Sequence, residues 1–234
     1  MTSARIHALA AVALATLVVA LAPARADVRP RPALWLSLGA GAAEPVGDFA
    51  DHSATQFLVD VSAVYFFRQA DRVGLGLRYS DENYDQIHGR YDLPGIALDL
   101  TTHHALRSLT AGPLWRVGRG QAELWLEGRA GIAIAATETV VDQSFTYALA
   151  TNHSDTRFAA ATAASAAWRV HEGLPDVYLA AGVDALFAPG LRYVPAGGAQ
   201  VNGNALELTT VKSDVVTLGW RAAVTLALRT PLRK

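Results

Sequence analysis

The stretch DVVTLGWRAAVTLALR, residues 214–229, decides how the chain is read. Its even positions, Val216, Leu218, Trp220, Ala222, Val224, Leu226 and Leu228, are apolar throughout. The odd positions from Thr217 onward, Gly219, Arg221, Ala223, Thr225, Ala227 and Arg229, are polar or small, Arg221 and Arg229 being charged. A strict period of two marks a strand with two unlike faces, and a helix would scatter Thr217, Arg221 and Thr225 among the apolar side chains. The alternation holds over about fourteen residues. An ordinary strand has about 5 to 6, and a tilted strand that crosses a bilayer needs about 9 to 11. A membrane-crossing strand is the expectation.

The start of the chain gives a compartment. Residues 1–26 carry Arg5, a fifteen-residue apolar run from Ala8 to Ala22 and the small-residue site Ala24-Arg25-Ala26 before Asp27. This pattern predicts a cleaved secretory signal, because a retained helical anchor needs about 20 apolar residues. Residues 27–234 are expected to be one β domain. No later window approaches a spanning helix, so insertion has to use strands, closed into a barrel so that no backbone group is left unpaired in lipid. The absence of cysteine excludes a disulfide framework and thiol chemistry. A net charge of −1 excludes a nucleic-acid footprint and a strongly basic membrane-binding surface.

Seven further segments repeat the alternation: 33–42, 56–67, 72–80, 104–117, 122–134, 157–170 and 177–187. The first places Leu34, Leu36 and Leu38 on one face and Trp35, Ser37, Gly39 and Gly41 on the other, and is expected to break at Glu44-Pro45. Long polar connections at 81–103, 137–155 and 189–213, together with the loop carrying Gly47-Asp48-Phe49, alternate with short ones at 68–71, 118–120 and 171–176. In transmembrane barrels the periplasmic turns are short and the outward loops long, so both termini are expected on the periplasmic side.

The segment Leu38-Gly39-Ala40-Gly41, followed by Pro45-Val46-Gly47-Asp48-Phe49, resembles the first strand and loop of many outer-membrane β-barrel domains, and Gly219 through Leu228 is similar to their closing strand. Over residues 33–229 the chain resembles the small eight-stranded barrels of the OmpA and OmpX kind. The resemblance implies an all-β fold, an eight-stranded antiparallel up-and-down transmembrane β-barrel in the bacterial outer membrane. It implies outer-membrane lipids and the barrel assembly machinery as partners. The family usually finishes on an aromatic residue, where this chain has Leu228 and then residues 229–234. A monomer without cofactor is expected, with an unidentified partner at the outer loops and no nucleic acid.

An arginine facing lipid at the midplane costs about 2 to 4 kcal/mol, so charges inside strands are assigned to the lumen, as their parity already indicates. Asp60, Glu123, Glu127 and Asp184 are expected to face Arg78, Arg129, Arg157 and Arg221. An eight-stranded barrel is just wide enough to be filled by side chains. The charges therefore form either a paired polar core that closes the lumen or the lining of a solute path. Phe57, Tyr79 and Phe187 on one rim and Tyr65, Phe67, Trp115 and Trp168 on the other fit two interfacial girdles. His52, His88, His103, His104 and His153 fall in predicted outer loops without metal-ligand spacing. The reading is a non-enzymatic membrane scaffold that acts through its exposed loops, in surface interaction, envelope integrity or at most narrow permeation. An enzyme acting on outer-membrane lipid is the alternative, with Ser80 and His104 or Ser154 and His153 cast as nucleophile and base, although no nucleophile elbow or orienting third group marks them. A soluble periplasmic barrel with a polar outside and an apolar inside is the third reading.

Overall fold

The computed structural model describes residues 32–67, 72–93, 96–118, 120–143, 146–173, 175–195, 198–202 and 205–229; the predicted export signal, residues 1–26, lies outside the described residues. The alternating segments become β1 (Pro32–Val46), β2 (Gln56–Phe66), β3 (Val73–Leu93), β4 (Ile96–Val117), β5 (Ala122–Gln143), β6 (Thr146–His171) and β7 (Asp176–Tyr193). A small hairpin, β8 (Ala199–Asn202) with β9 (Ala205–Leu208), precedes β10 (Val211–Arg229). Each strand from β1 to β7 pairs antiparallel with its chain neighbour, β10 pairs with β7, and β1 pairs with β10 to close the barrel. The fold is an eight-stranded, all-antiparallel transmembrane barrel.

Register fixes its shape. Partners followed once round the wall from Leu36 run through Ala63, Leu77, Ala111, Ala130, Ala160, Phe187 and Val216 to Val46, ten residues further along β1. A stagger of that size in eight strands tilts them by about 40°. From Phe57 to Phe67 the outward residues of β2 then rise roughly 25 Å, the height of a transmembrane apolar band. The exposed large side chains are those the alternation assigned to the outside, among them Leu38, Val61, Leu75, Leu77, Leu109, Ile132, Leu179, Trp220 and Val224. Phe57, Tyr79 and Phe187 are exposed toward one rim, and Tyr65, Phe67, Trp115 and Trp168 toward the other.

Three expectations about strand ends are corrected. Segments 81–103 and 137–155, read as loops, continue the strands: β3 and β4 stay paired out to Leu93 and Ile96, and β5 and β6 out to Gln143 and Thr146. Above the lipid neither face of a hairpin needs apolar residues, so the alternation stops while the backbone ladder does not. Likewise β1 runs through Glu44-Pro45, since its ladder to β2 ends at Ala43 and Pro45 is paired on the β10 side alone. A proline with one neighbouring strand has no second ladder to break. In place of the predicted loop after β7, residues 189–213 hold the end of that strand and the β8–β9 hairpin.

Candidate functional site in the barrel lumen

The inward faces close the lumen at three depths. Pro32 of β1 and Arg229 of β10 lie at the same end of the barrel as the ends of β2, β4 and β6, here the turn end; the β3–β4 and β5–β6 hairpins extend at the other, the loop end. Midway, Asp60 on β2, Arg78 on β3, Glu127 and Arg129 on β5, Asp184 on β7 and Arg221 on β10 form one network of three arginines and three carboxylates. Arg78 Nη2 donates to both Glu127 oxygens at 2.8 and 3.0 Å. Arg221 Nη1 donates to Asp60 Oδ1 at 3.0 Å and its Nη2 to Glu127 Oε1 at 3.3 Å. Arg129 lies 3.4 Å from Glu127 and 3.5 Å from Asp184, and Arg78 stands 3.5 Å from Asp60 and 3.7 Å from Asp184. Asp60 and all three arginines are buried.

Equal numbers of opposite charges avoid the severe cost of an enclosed unpaired ion. Two glycines make the room. A Cβ on Gly39 would stand 2.3 Å from Asp60 Oδ2, and one on Gly219 2.6 Å from Asp184 Oδ1, so each carboxylate occupies the space that a larger residue would fill.

The other two residues assigned to the cluster are elsewhere. Glu123, four residues nearer the turn end than Glu127, pairs through both oxygens with Arg116, Arg116 Nε donating at 2.8 Å. Arg157 lies at the loop end, where its Nε donates to the Gly190 carbonyl at 3.2 Å and faces Asp155 at 3.2 Å. It stands six residues beyond Ala163, which is level with Asp184, or roughly 15 Å on a tilted strand. Parity gives the face of a residue; it does not give the depth.

Near the turn end an aromatic stopper fills the bore. Trp35 packs against Phe66, Trp125 and Tyr178 at ring-centroid distances of 4.8, 4.7 and 5.2 Å. The Arg116 guanidinium lies 4.4 Å from the Trp35 centroid and 5.2 Å from that of Phe66. Trp125 Nε1 donates to Glu123 Oε2 at 3.1 Å, tying the stopper to the ion pair. The pairing of a cation with ring faces adds electrostatic attraction to apolar contact. The alternation puts Trp35 opposite the outward leucines of its strand without joining it to other rings, and Arg116 carries no assignment in the sequence. The available signal was Arg116 lying between Trp115 and Val117, the parity opposite to the lipid side.

At the loop end the connection from β1 to β2 turns inward. Residues Gly47–Asp51 form a short 3-10 helix whose Phe49 is completely buried. Its ring meets Tyr193 edge to face at 5.0 Å and joins a cluster with Leu106, Leu186, Leu191 and Val215. Ala133, Ala135, Ala159 and Ala161 line the same space, small side chains that leave the volume to Phe49 and Tyr193. Ser80 and Ser108 share a hydrogen bond at 2.7 Å, and His104 Nδ1 is 3.1 Å from Thr137 Oγ1. Ser80 and His104 are both buried. His153 and Ser154 are consecutive on β6, so their side chains leave on opposite faces.

No protein-family model matches the chain, and no curated protein does. Solved structures do. Neisserial surface protein A is 13% identical, with 83% of this chain and 97% of that one covered at a TM-score of 0.45. Ail, the attachment invasion locus protein of Yersinia pestis, solved with the heparin analogue sucrose octasulfate, is 12% identical over 85% of this chain and 99% of its own, at 0.46. The outer membrane protein OprG of Pseudomonas aeruginosa is 12% identical over 86% and 98%, at 0.44. By its own strand pairing the chain is a closed eight-stranded antiparallel β-barrel, and small outer-membrane barrels are what it is similar to.

Proposed function

We propose that the chain is a non-enzymatic outer-membrane barrel with its termini on the periplasmic side and its hairpins presented outward. It serves envelope integrity and surface interaction, and it does not conduct. The supporting observation is the combination of an apolar exterior with a lumen blocked by Phe49, the six-residue charge network and the Trp35 stopper. A wall of this kind is held by outer-membrane lipid and assembled by the barrel machinery, and the functional surface left to it is the loop end, facing a partner outside the cell. A soluble binder has the inverse distribution, polar outside and apolar within. The lipid-enzyme reading gains nothing from Ser80 and His104, which are enclosed in the barrel and bonded to Ser108 and Thr137.

The test is a heated-versus-unheated gel on the membrane fraction, followed by exchange of detergent for plain buffer. A folded barrel shifts its band on heating and aggregates without detergent. Solubility in buffer with retained structure overturns the membrane reading. Release of acyl chains from outer-membrane lipid, abolished by His104→Ala, overturns the non-enzymatic one.

A further inference from the structure

Where β7 and β10 leave the lipid belt, their ladder carries a bulge. Ala188 pairs with Val215 and Leu191 with Ser213, so Pro189 and Gly190 together oppose Asp214. Gly190 is in the left-handed region, φ 59°, and its N–H donates to Asp214 Oδ1 at 2.9 Å. Bulges of this kind sharpen the twist and re-aim the side chains beyond them. Those beyond are Arg192 and Lys212, direct cross-strand partners and both exposed. Neither has an ion pair among the described residues. Arg157, on the inward parity of β6 and paired with Asp155, braces the bulge through the Gly190 carbonyl, and Lys212 lies along the same glycine, its Cε 3.1 Å from where a Gly190 Cβ would stand.

The carboxylates nearby are engaged otherwise. Asp155 Oδ2 faces Arg157 and accepts the Arg192 backbone N–H at 2.8 Å, while Asp214 holds the bulge. Like charges directly opposite in a ladder are unfavourable, and among the described residues the chain supplies no ion pair to relieve these two. Elsewhere on the same rim it does, since the outward Arg107 on β4 is paired with Asp81 on β3 at 3.3 Å. Lys212 stands four residues beyond Val216, the partner of the exposed Phe187. That is about 10 Å above the belt, a height that a lysine side chain brings into the headgroup layer.

We propose that Arg192 and Lys212 form a docking site for the phosphate of an outer-leaflet lipid. A phosphate takes two donors from an arginine fork and the point charge of a lysine, and the acyl chains would lie on the exposed Phe158 and Phe187 below. The site rests on the reading of the loop end as the outer face of a lipid-embedded barrel.

The experiment titrates the purified full chain, folded in zwitterionic detergent, with diphosphoryl lipid A, with the same lipid stripped of phosphate, and with inorganic phosphate. The parent is expected to prefer the phosphorylated lipid over both other probes. Arg192→Ala with Lys212→Ala should weaken binding roughly thirty-fold, about fivefold per cation, and Arg107→Ala should leave it unchanged. Equal affinity of parent and double variant, or of the phosphorylated and stripped lipids, overturns the site. Inorganic phosphate bound as tightly as the lipid replaces it with a free-anion site, and a loss at Arg107→Ala as large as the double variant's reduces it to diffuse surface charge. The heat-shift gel on the same samples separates the two readings: an unshifted parent band overturns the membrane barrel itself, a shifted band with unaltered binding the site alone.

Discussion

Glu127 is bonded to or within salt-bridge reach of three arginines, Arg78, Arg129 and Arg221, so its removal leaves three cations against two carboxylates in the middle of the bore. Glu127→Ala is expected to destabilise the barrel by on the order of 3 to 5 kcal/mol, less to the extent that water enters. The adjacent outward Leu126→Ala should cost about 0.5 kcal/mol or less. Urea unfolding in detergent measures both, and equal losses would contradict a tightly paired network. Gly39→Ala tests the same network from the wall, because the new methyl displaces the Asp60 carboxylate from Arg221. A loss of about 1 to 3 kcal/mol is expected, with Gly39→Ala in an Asp60→Asn background costing less than the sum of the two changes. At this scale the alternation made the inward face of Arg78, Glu127, Asp184 and Arg221 legible. It could not separate Glu123 and Arg157 from them, because depth comes from the stagger between strands, and no single strand encodes that.

Among elements, β3–β4 and β5–β6 were half legible. Their lipid-facing parts show the period of two, whereas their outer parts are polar on both sides and read as loop, although the ladders of β3 with β4 and of β5 with β6 continue to within a few residues of each turn. The inward turn of residues Gly47–Asp51 left a weaker trace still, a lone Phe49 in a polar segment, which is as common in an exposed loop as in a stopper. These elements differ in how firmly they are held. The β8–β9 hairpin pairs with itself alone, apart from the barrel sheet. In intact cells treated with protease, segment 189–213 is therefore expected to be cut first, with 81–103 and 137–155 following more slowly and the barrel surviving. Cleavage from outside at 68–71, 118–120 or 171–176 would mean that the molecule is inserted the other way up.

For the whole molecule, the three closures stand in series. Opening one leaves the others, so Phe49→Ala, Glu127→Ala and Trp35→Ala are each expected to remain silent in single-channel recordings across a planar bilayer. The triple variant, if it folds by the heat-shift gel, should conduct. Current from any single variant would show that its residue alone holds the lumen shut. The closed eight-stranded form was legible from the count of alternating segments and from the rhythm of long and short connections. The stoppers were not, since they depend on which inward residues meet across the bore.

The ten-residue advance from Leu36 to Val46 has a consequence for how this barrel can change over generations. Ten is even, so a residue that starts on the lipid side comes back on the lipid side, and the wall carries a frame of two much as a gene carries a frame of three. A lost or gained codon within the belt of any strand would turn every side chain beyond it inside out, sending Arg221 or Asp184 into lipid and Trp220 or Val183 into the bore. Among the described residues the register slips lie outside the apolar belt, at Pro32/Leu34, Asn83/Asp85, Thr137/Thr139, Arg169/His171 and Ser213/Val215. Length variation in descendants of this chain should accordingly arrive in pairs inside the belt and in any number beyond those slips.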